Sequence, residues 1–165
     1  MDTTALAAAY DALLDAATTV ADGAPPPDEW TADEIVAHVA LVTAATIATA
    51  AAVAAGAHTT YDNRLAQDTW TINRVIALAD GPTGLRERIR SQGEALCTLA
   101  GPTLSETELD TSVPALLLSH DTALVNGPVA LRDIITGLAE VELPGHTRQL
   151  LALSPSARTE VRPSS

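Results

Sequence analysis

The chain lacks several residue types that most soluble proteins use freely. Its 165 residues contain no phenylalanine and no lysine, aromatic residues make up 2%, and Cys97 is the single cysteine. One cysteine excludes an internal disulfide and any zinc site built from several thiolates. Cys97 lies in the stretch EALCTLA, a helical context in which a lone cysteine is more often a small core residue than a nucleophile.

Positive charge is also scarce. Nine arginines stand against 21 acidic residues, which gives a formal net charge of −12. Such a field repels phosphate backbones and anionic lipid headgroups, so neither nucleic acid nor a membrane is expected as a partner. The N-terminal stretch MDTTALAAAYDALL lacks the basic region and the apolar block of a secretory signal. A cytoplasmic location is therefore expected.

Apolar residues are plentiful but small. They make up 47% of the chain, and many of them are alanine, which favours helices that pack closely. Residues 39–57 carry no charge and are long enough to span a bilayer. They are mostly alanine and threonine, which is weakly hydrophobic for a membrane span. A buried helix in a soluble bundle is the preferred interpretation.

The pattern along the chain predicts one all-α domain over residues 1–153, followed by a flexible tail over 154–165. Thr31 and Glu34 have the spacing of a capping box at the start of the second helix. Residues 101–128 lose helical periodicity, so an irregular segment or short hairpin is expected before the last helix. Pro128 suits the first turn of that helix. The predicted helices cover residues 3–21, 31–56, 61–79, 84–100 and 128–153.

Three polar side chains interrupt apolar helix faces. At 100° per residue, Glu142 and His146 share a stripe with Leu131 and Ile135, and His38 lies near the inner face of the second helix. A single histidine at such a position is more often a hydrogen-bonded core or rim residue. However, an inward carboxylate is costly to bury unless a partner charge or a metal compensates it.

His38, Glu142 and His146 together supply the ligand number and types of a catalytic zinc site with an open position. The same set of two histidines and a carboxylate suits iron or nickel. The Pro144–Gly145 pair between the last two residues is also a turn signal, but the apolar pattern returns at Leu153. One helix that continues through Pro144 is therefore favoured.

Ser119, His120 and Asp121 are adjacent in the stretch LSHD. Members of a catalytic triad converge from separate segments, so this run carries little weight.

Two stretches resemble a known family. EWTADEIVAHVALV is similar to the tryptophan-to-histidine block of the DinB superfamily. LAEVELPGHTRQLLAL is similar to the closing helix of its mycothiol-dependent branch, which includes the N-terminal domain of maleylpyruvate isomerase. The resemblance implies a four-helix bundle that holds a divalent metal, commonly zinc. Carried over to this sequence, the implied ligands are His38, Glu142 and His146.

The resemblance implies a metal-dependent mycothiol S-transferase or isomerase-like enzyme, in which the metal activates a low-molecular-weight thiol that attacks a small electrophile. Two alternatives stay open from the residues themselves. One is a non-catalytic bundle, with or without a metal, and the other is a hydrolase that uses metal-bound water. Small, flat helix faces also predict a homodimer.

Overall fold

The computed structural model describes residues 1–20, 25, 29–119 and 122–153. The tail expected over residues 154–165 lies outside the described residues. The helices are α1 (Thr4–Thr19), α2 (Ala32–Ala54), α3 (Arg64–Gln67), α4 (Thr69–Leu78), α5 (Gly81–Thr98), α6 (Glu106–Leu109), α7 (Leu131–Gly137) and α8 (Leu143–Leu153). Five-residue π-helical turns follow α5 (Leu99–Thr103) and α7 (Leu138–Glu142). The strands are β1 (Tyr61–Asp62), β2 (Ser112–Ser119) and β3 (Thr122–Ala130).

Helix α2 is the central element of the core. The predicted capping box is present at its start: the Glu34 amide donates to Thr31 Oγ1 at 3.2 Å, and the Thr31 amide donates to the Glu34 carboxylate at 2.8 Å. The helix ends before Gly56, whose φ of 69° favours glycine. It packs against α4, α5 and α8, while α1 packs against α5 and α8.

Among the described residues, α2 is the one helix long and apolar enough to cross a membrane by length and composition. However, 61% of its most apolar window is buried inside the protein. That burial is what the core helix of a soluble protein shows.

The junction of α1, α2 and α5 is closely packed around Tyr10, which is 4% exposed. Its hydroxyl shares a 2.9 Å hydrogen bond with the buried Thr43 hydroxyl. A Cβ atom built on Gly93 of α5 would lie 2.9 Å from the Tyr10 ring, so only glycine fits there without a shift. Tyr10, Thr43 and Gly93 are called the helix junction below.

The predicted all-α fold is wrong, because the described residues include a three-stranded mixed sheet of order β1-β2-β3. Strands β2 and β3 form an antiparallel hairpin, and β1 pairs in parallel with β2. The protein is therefore α+β rather than a four-helix bundle. Residues 61–62, predicted to begin a helix, are strand β1 because they pair with Ala115 and Leu116.

The side chain of Asn63 extends the pairing between β1 and β2. Its Nδ2 donates to the Leu118 carbonyl at 2.9 Å, and its Oδ1 accepts from the Leu118 amide at 2.8 Å. Asn63 is 3% exposed, so these two bonds satisfy an amide that would otherwise be costly to bury. They hold the hairpin against the helical core.

The last helical region starts later than predicted. Pro128 lies in β3, opposite Pro114 of β2, and α7 begins only at Leu131. From there the backbone stays helical to Leu153 through the π-helical turn.

The apolar pattern expected to return at Leu153 does so, because Leu131, Ile135 and Leu153 are all buried. The buried face is wider than expected, since Ala139, Leu143 and Leu150 are buried beside this row. Ala139 lies within the π-helical turn, which interrupts the regular helical spacing. The turn ends at Glu142, directly before Leu143 and Pro144. Pro144 has no amide hydrogen to donate, which suits a break in the regular bonding pattern.

Candidate metal centre

The three predicted ligands converge in space. One ligand atom from each of His38, Glu142 and His146 lies within 4.8 Å of the other two. Glu142 Oε1 is 3.2 Å from His38 Nε2 and 3.3 Å from His146 Nε2. The two imidazole rings meet edge to face, with centroids 4.7 Å apart. Helix α2 supplies one residue, and the π-helical turn with α8 supplies the other two.

His38 is held by contacts on its far side. Its Nδ1–H donates to the Ala66 carbonyl of α3 at 2.7 Å, and its ring packs on Trp30 at a centroid distance of 4.9 Å. Because the Nδ1 proton is used in this hydrogen bond, the neutral ring presents the lone pair of Nε2 to Glu142. The side chain is 3% exposed, so this orientation is fixed inside the core.

His146 is oriented in the same way by a residue one turn along. Its Nδ1–H donates to Gln149 Oε1 at 3.0 Å, which again leaves Nε2 as the atom that faces Glu142. Gln149 was not among the predicted site residues. Its position at i+3 from His146 on the same helix is a signal that could have identified it. The Ala66 carbonyl could not have been identified in this way, because Ala66 is 28 residues from His38 in the sequence.

Glu142 is the anionic member of the group and is partly open to solvent, with 29% of its side chain exposed. When both rings carry an Nε2 proton, hydrogen bonds from His146 and His38 lower the pKa of the Glu142 carboxyl to about 2, because they favour the anion more than burial disfavours it. Those bonds need a proton on each Nε2 atom. Neutral rings have none there, and three electron-pair donors then face one another.

Three converging acceptors fit a divalent cation, since a cation can take the place of the two Nε2 protons. The Nδ1 bonds to Ala66 and Gln149 are the outer contacts that orient ligating histidines at metal sites. The donor types match zinc, nickel or iron, and they do not select among these metals. We conclude that the residues present suit a three-ligand centre.

A cavity of about 430 Å³ opens beside the three residues. It lies between the β2–β3 hairpin and the last helical region and is called the metal-side cavity. The exposed fraction of the three side chains rises from 3% at His38 through 17% at His146 to 29% at Glu142, so one side of the group is open. A ligand of low molecular weight can therefore reach the centre. The lining residues are Glu29, Trp30, His38, Gln67, Leu117, Leu118, Ser119, Leu124, Val141, Glu142, Gly145, His146 and Gln149.

Of the LSHD stretch, Ser119 lines the metal-side cavity. His120 and Asp121 lie outside the described residues.

Comparison of the chain with protein-family models, curated proteins and solved structures finds no significant match. The resemblance to the DinB superfamily therefore stays a prediction that rests on the Trp30–His38 and Glu142–His146 stretches. The convergence of the three side chains is observed in the structure and does not depend on that resemblance.

Proposed function

We propose that this protein is a cytoplasmic, divalent-metal-dependent thiol S-transferase or isomerase-like enzyme, with mycothiol as its thiol substrate. The observation that carries the proposal is the convergence of His38 Nε2, Glu142 Oε1 and His146 Nε2 at the wall of an accessible cavity. A divalent ion held by these atoms would favour the thiolate form of a bound thiol at neutral pH. Zinc is the first candidate for that ion.

The chain's own residues prepare this chemistry. The Ala66 carbonyl and Gln149 hold the Nδ1 protons away from the cavity, so both histidines keep their lone pairs directed at one point. The burial of His38 limits its motion, while the greater exposure of Glu142 leaves room for an incoming ligand. This arrangement holds the ligating atoms before the ion arrives.

The charge of the metal-side cavity supports a thiol without carboxylates. Apart from its histidines, the ionisable residues that line it in the described part of the chain are Glu29 and Glu142, and both are acidic. Glutathione carries two carboxylates and would meet no arginine on these walls. Mycothiol is an N-acetylated cysteine joined through an amide to a pseudodisaccharide, so it has no carboxylate to repel.

The transfer itself is a simple nucleophilic step. The thiol loses its proton to solvent, and the sulfur lone pair forms a bond to the electrophilic carbon. A leaving group departs with the electrons of its broken bond, or the electrons of an activated double bond shift and take up a proton. In each case solvent accepts the proton of the thiol and supplies any proton that the product or the leaving group takes up.

A cobalt titration tests the proposal. Mycothiol added to the Co²⁺-loaded protein is expected to produce an intense sulfur-to-cobalt charge-transfer band, and glutathione a weaker band at equal concentration. His146→Ala should abolish the band, and elemental analysis should show that His38→Ala and Glu142→Ala no longer retain about one ion per chain. His58→Ala, which changes an exposed histidine outside the group, is the matched control and should behave as the wild type. A metal-loaded protein without a thiol-dependent band would overturn the transferase proposal.

A further inference from the structure

A second cavity, of about 260 Å³, lies on the other side of Glu142 between the sheet and the last helical region. We call it the sheet-side cavity. Leu117, Leu124, Val141 and Glu142 line both cavities. The two spaces are therefore adjacent compartments of one cleft, and the carboxylate that faces both histidines stands at their boundary.

The sheet-side cavity has mainly aliphatic walls, and the amide of its buried asparagine already has partners. Both polar atoms of the Asn63 amide are bonded to the Leu118 backbone. Tyr61 is 4% exposed. Asp133 is exposed and belongs to the rim. The interior thus offers little to a polar or charged ligand, and Asp133 adds negative charge at its rim.

The boundary between the compartments is apolar and open. The side chains of Leu124 and Val141 are 62% and 68% exposed, although both are large and aliphatic. Leu124 lies at a register shift of the hairpin: Leu117 pairs with Val125 and Leu118 with Ala123, which leaves Leu124 as an extra residue in β3. Such bulges redirect side chains and are frequent beside binding sites. An exposed apolar boundary next to a polar cluster is typical of a ligand site.

From this placement we infer that the sheet-side cavity binds the apolar part of the second substrate, a small uncharged electrophile. Its reactive carbon would lie at the Glu142 boundary, where the thiol arrives from the metal-side cavity. An apolar cavity of about 150 Å³ suffices to bind benzene, so the larger space here accommodates a ring or a short branched chain. The inference rests on the proposed function, because the occupant is assigned as the electrophile of that reaction.

Two glycines allow each compartment to be filled separately. Gly137 lines the sheet-side cavity and Gly145 the metal-side cavity. Both are helical, and a Cβ atom at either position would meet nothing within 4 Å. Leucine at either position can therefore extend into open space without a backbone clash, which makes the two substitutions a matched pair.

The test uses N-phenyl-1-naphthylamine, an uncharged dye that fluoresces in apolar sites. The wild-type protein is expected to bind about one dye per chain, in saturable fashion. Gly137→Leu should weaken dye binding roughly tenfold, a loss of about 1.4 kcal/mol, whereas Gly145→Leu should leave it nearly unchanged. Gly137→Ala provides a smaller step in the same direction, and circular dichroism checks that every variant is folded. No saturable binding, or equal binding by wild type and folded Gly137→Leu, would overturn the inference.

Metal loading then tests whether the two compartments adjoin. Co²⁺ absorbs visible light and quenches nearby fluorophores, whereas Zn²⁺ does not. Bound dye should therefore lose fluorescence with Co²⁺ and keep it with Zn²⁺, and the His146→Ala variant should show neither metal binding nor quenching. Quenching in the wild type supports the adjacent arrangement, and metal binding without quenching contradicts it. Dye binding that depends on Gly137 in a protein that binds no metal would support the cavity as an apolar site and overturn the metal-dependent transferase.

Discussion

Helix α2 contributes to two clusters of polar side chains inside the protein. They differ in whether the atoms that face one another carry a hydrogen to donate. At the helix junction, Tyr10 and Thr43 each carry a hydroxyl that can donate and accept, so the pair satisfies itself. At the candidate metal centre, neutral histidines that donate from Nδ1 to Ala66 and Gln149 leave both Nε2 atoms and the Glu142 carboxylate as three acceptors that face one another. Burial of a polar side chain therefore does not by itself indicate a functional site. A group of acceptors that lack protons is the feature that suits a cation.

The largest expected difference between the clusters is their response to zinc. At roughly a hundredfold excess over its Kd, zinc should raise the free energy of unfolding of the wild type by about 2.7 kcal/mol. Thr43→Val, which breaks the helix junction, should lower the baseline stability yet keep the full zinc increment. His146→Ala should lose the increment. Urea denaturation with and without zinc measures all three proteins, and an increment that survives in His146→Ala would contradict the assigned ligands.

Glycine-to-alanine substitutions compare the space around Gly93, at the helix junction, with the space around Gly137, beside the sheet-side cavity. Gly93→Ala should destabilise the protein by about 1–3 kcal/mol, because the new methyl group meets the Tyr10 ring at 2.9 Å inside a closed core. Gly137→Ala should instead stabilise it by roughly 0.5–1 kcal/mol, since the Cβ atom meets open space and alanine favours a helix. Thermal and urea unfolding measure both changes. Equal effects at the two positions would show that the cleft is not open beside Gly137.

The smallest expected effect concerns the two tyrosines at high pH. Burial raises the pKa of Tyr61, beside the sheet-side cavity, to about 12 and raises the pKa of Tyr10, at the helix junction, further above its ordinary value. Because the unfolded chain ionises first, this stability contribution is intact below about pH 10 and declines as the pH rises toward the folded pKa values.

Tyrosinate absorbance follows the titration directly, because these are the chain's two tyrosines. Tyr61→Phe should remove the earlier step and leave the later one. Ionisation of either residue near pH 10 in the folded protein would show that its hydroxyl is solvated.

Local sequence signals account for part of the molecule. The Thr31 and Glu34 spacing predicts the capping box because both partners lie within one helical turn. The helical period also directs His38, Glu142 and His146 toward one core, and the structure brings them together. These features depend on contacts of short range or on periodicity within one element, which a sequence displays directly.

A short hairpin was one of the two alternatives expected for residues 101–128, but a three-stranded sheet could not be predicted in the same way. Strand β1 has two residues, and its pairing depends on Ala115 and Leu116, more than fifty positions away in the chain. Pro128 was expected to begin the last helix, yet it lies opposite Pro114 across the hairpin. Likewise, a π-helical turn precedes Pro144, and the 3.6-residue periodicity of the sequence does not predict it.

The distance along the chain between the ligands determines when the centre can assemble. His38 and Glu142 are 104 residues apart in sequence, so their approach closes a loop that spans most of the domain. Such a closure costs conformational entropy, which the packing of α2 against α8 and the pairing of the sheet must offset first. An ion bound at this position would therefore not nucleate folding as a short zinc loop does. We expect it instead to slow the unfolding of a chain that has already reached its native topology.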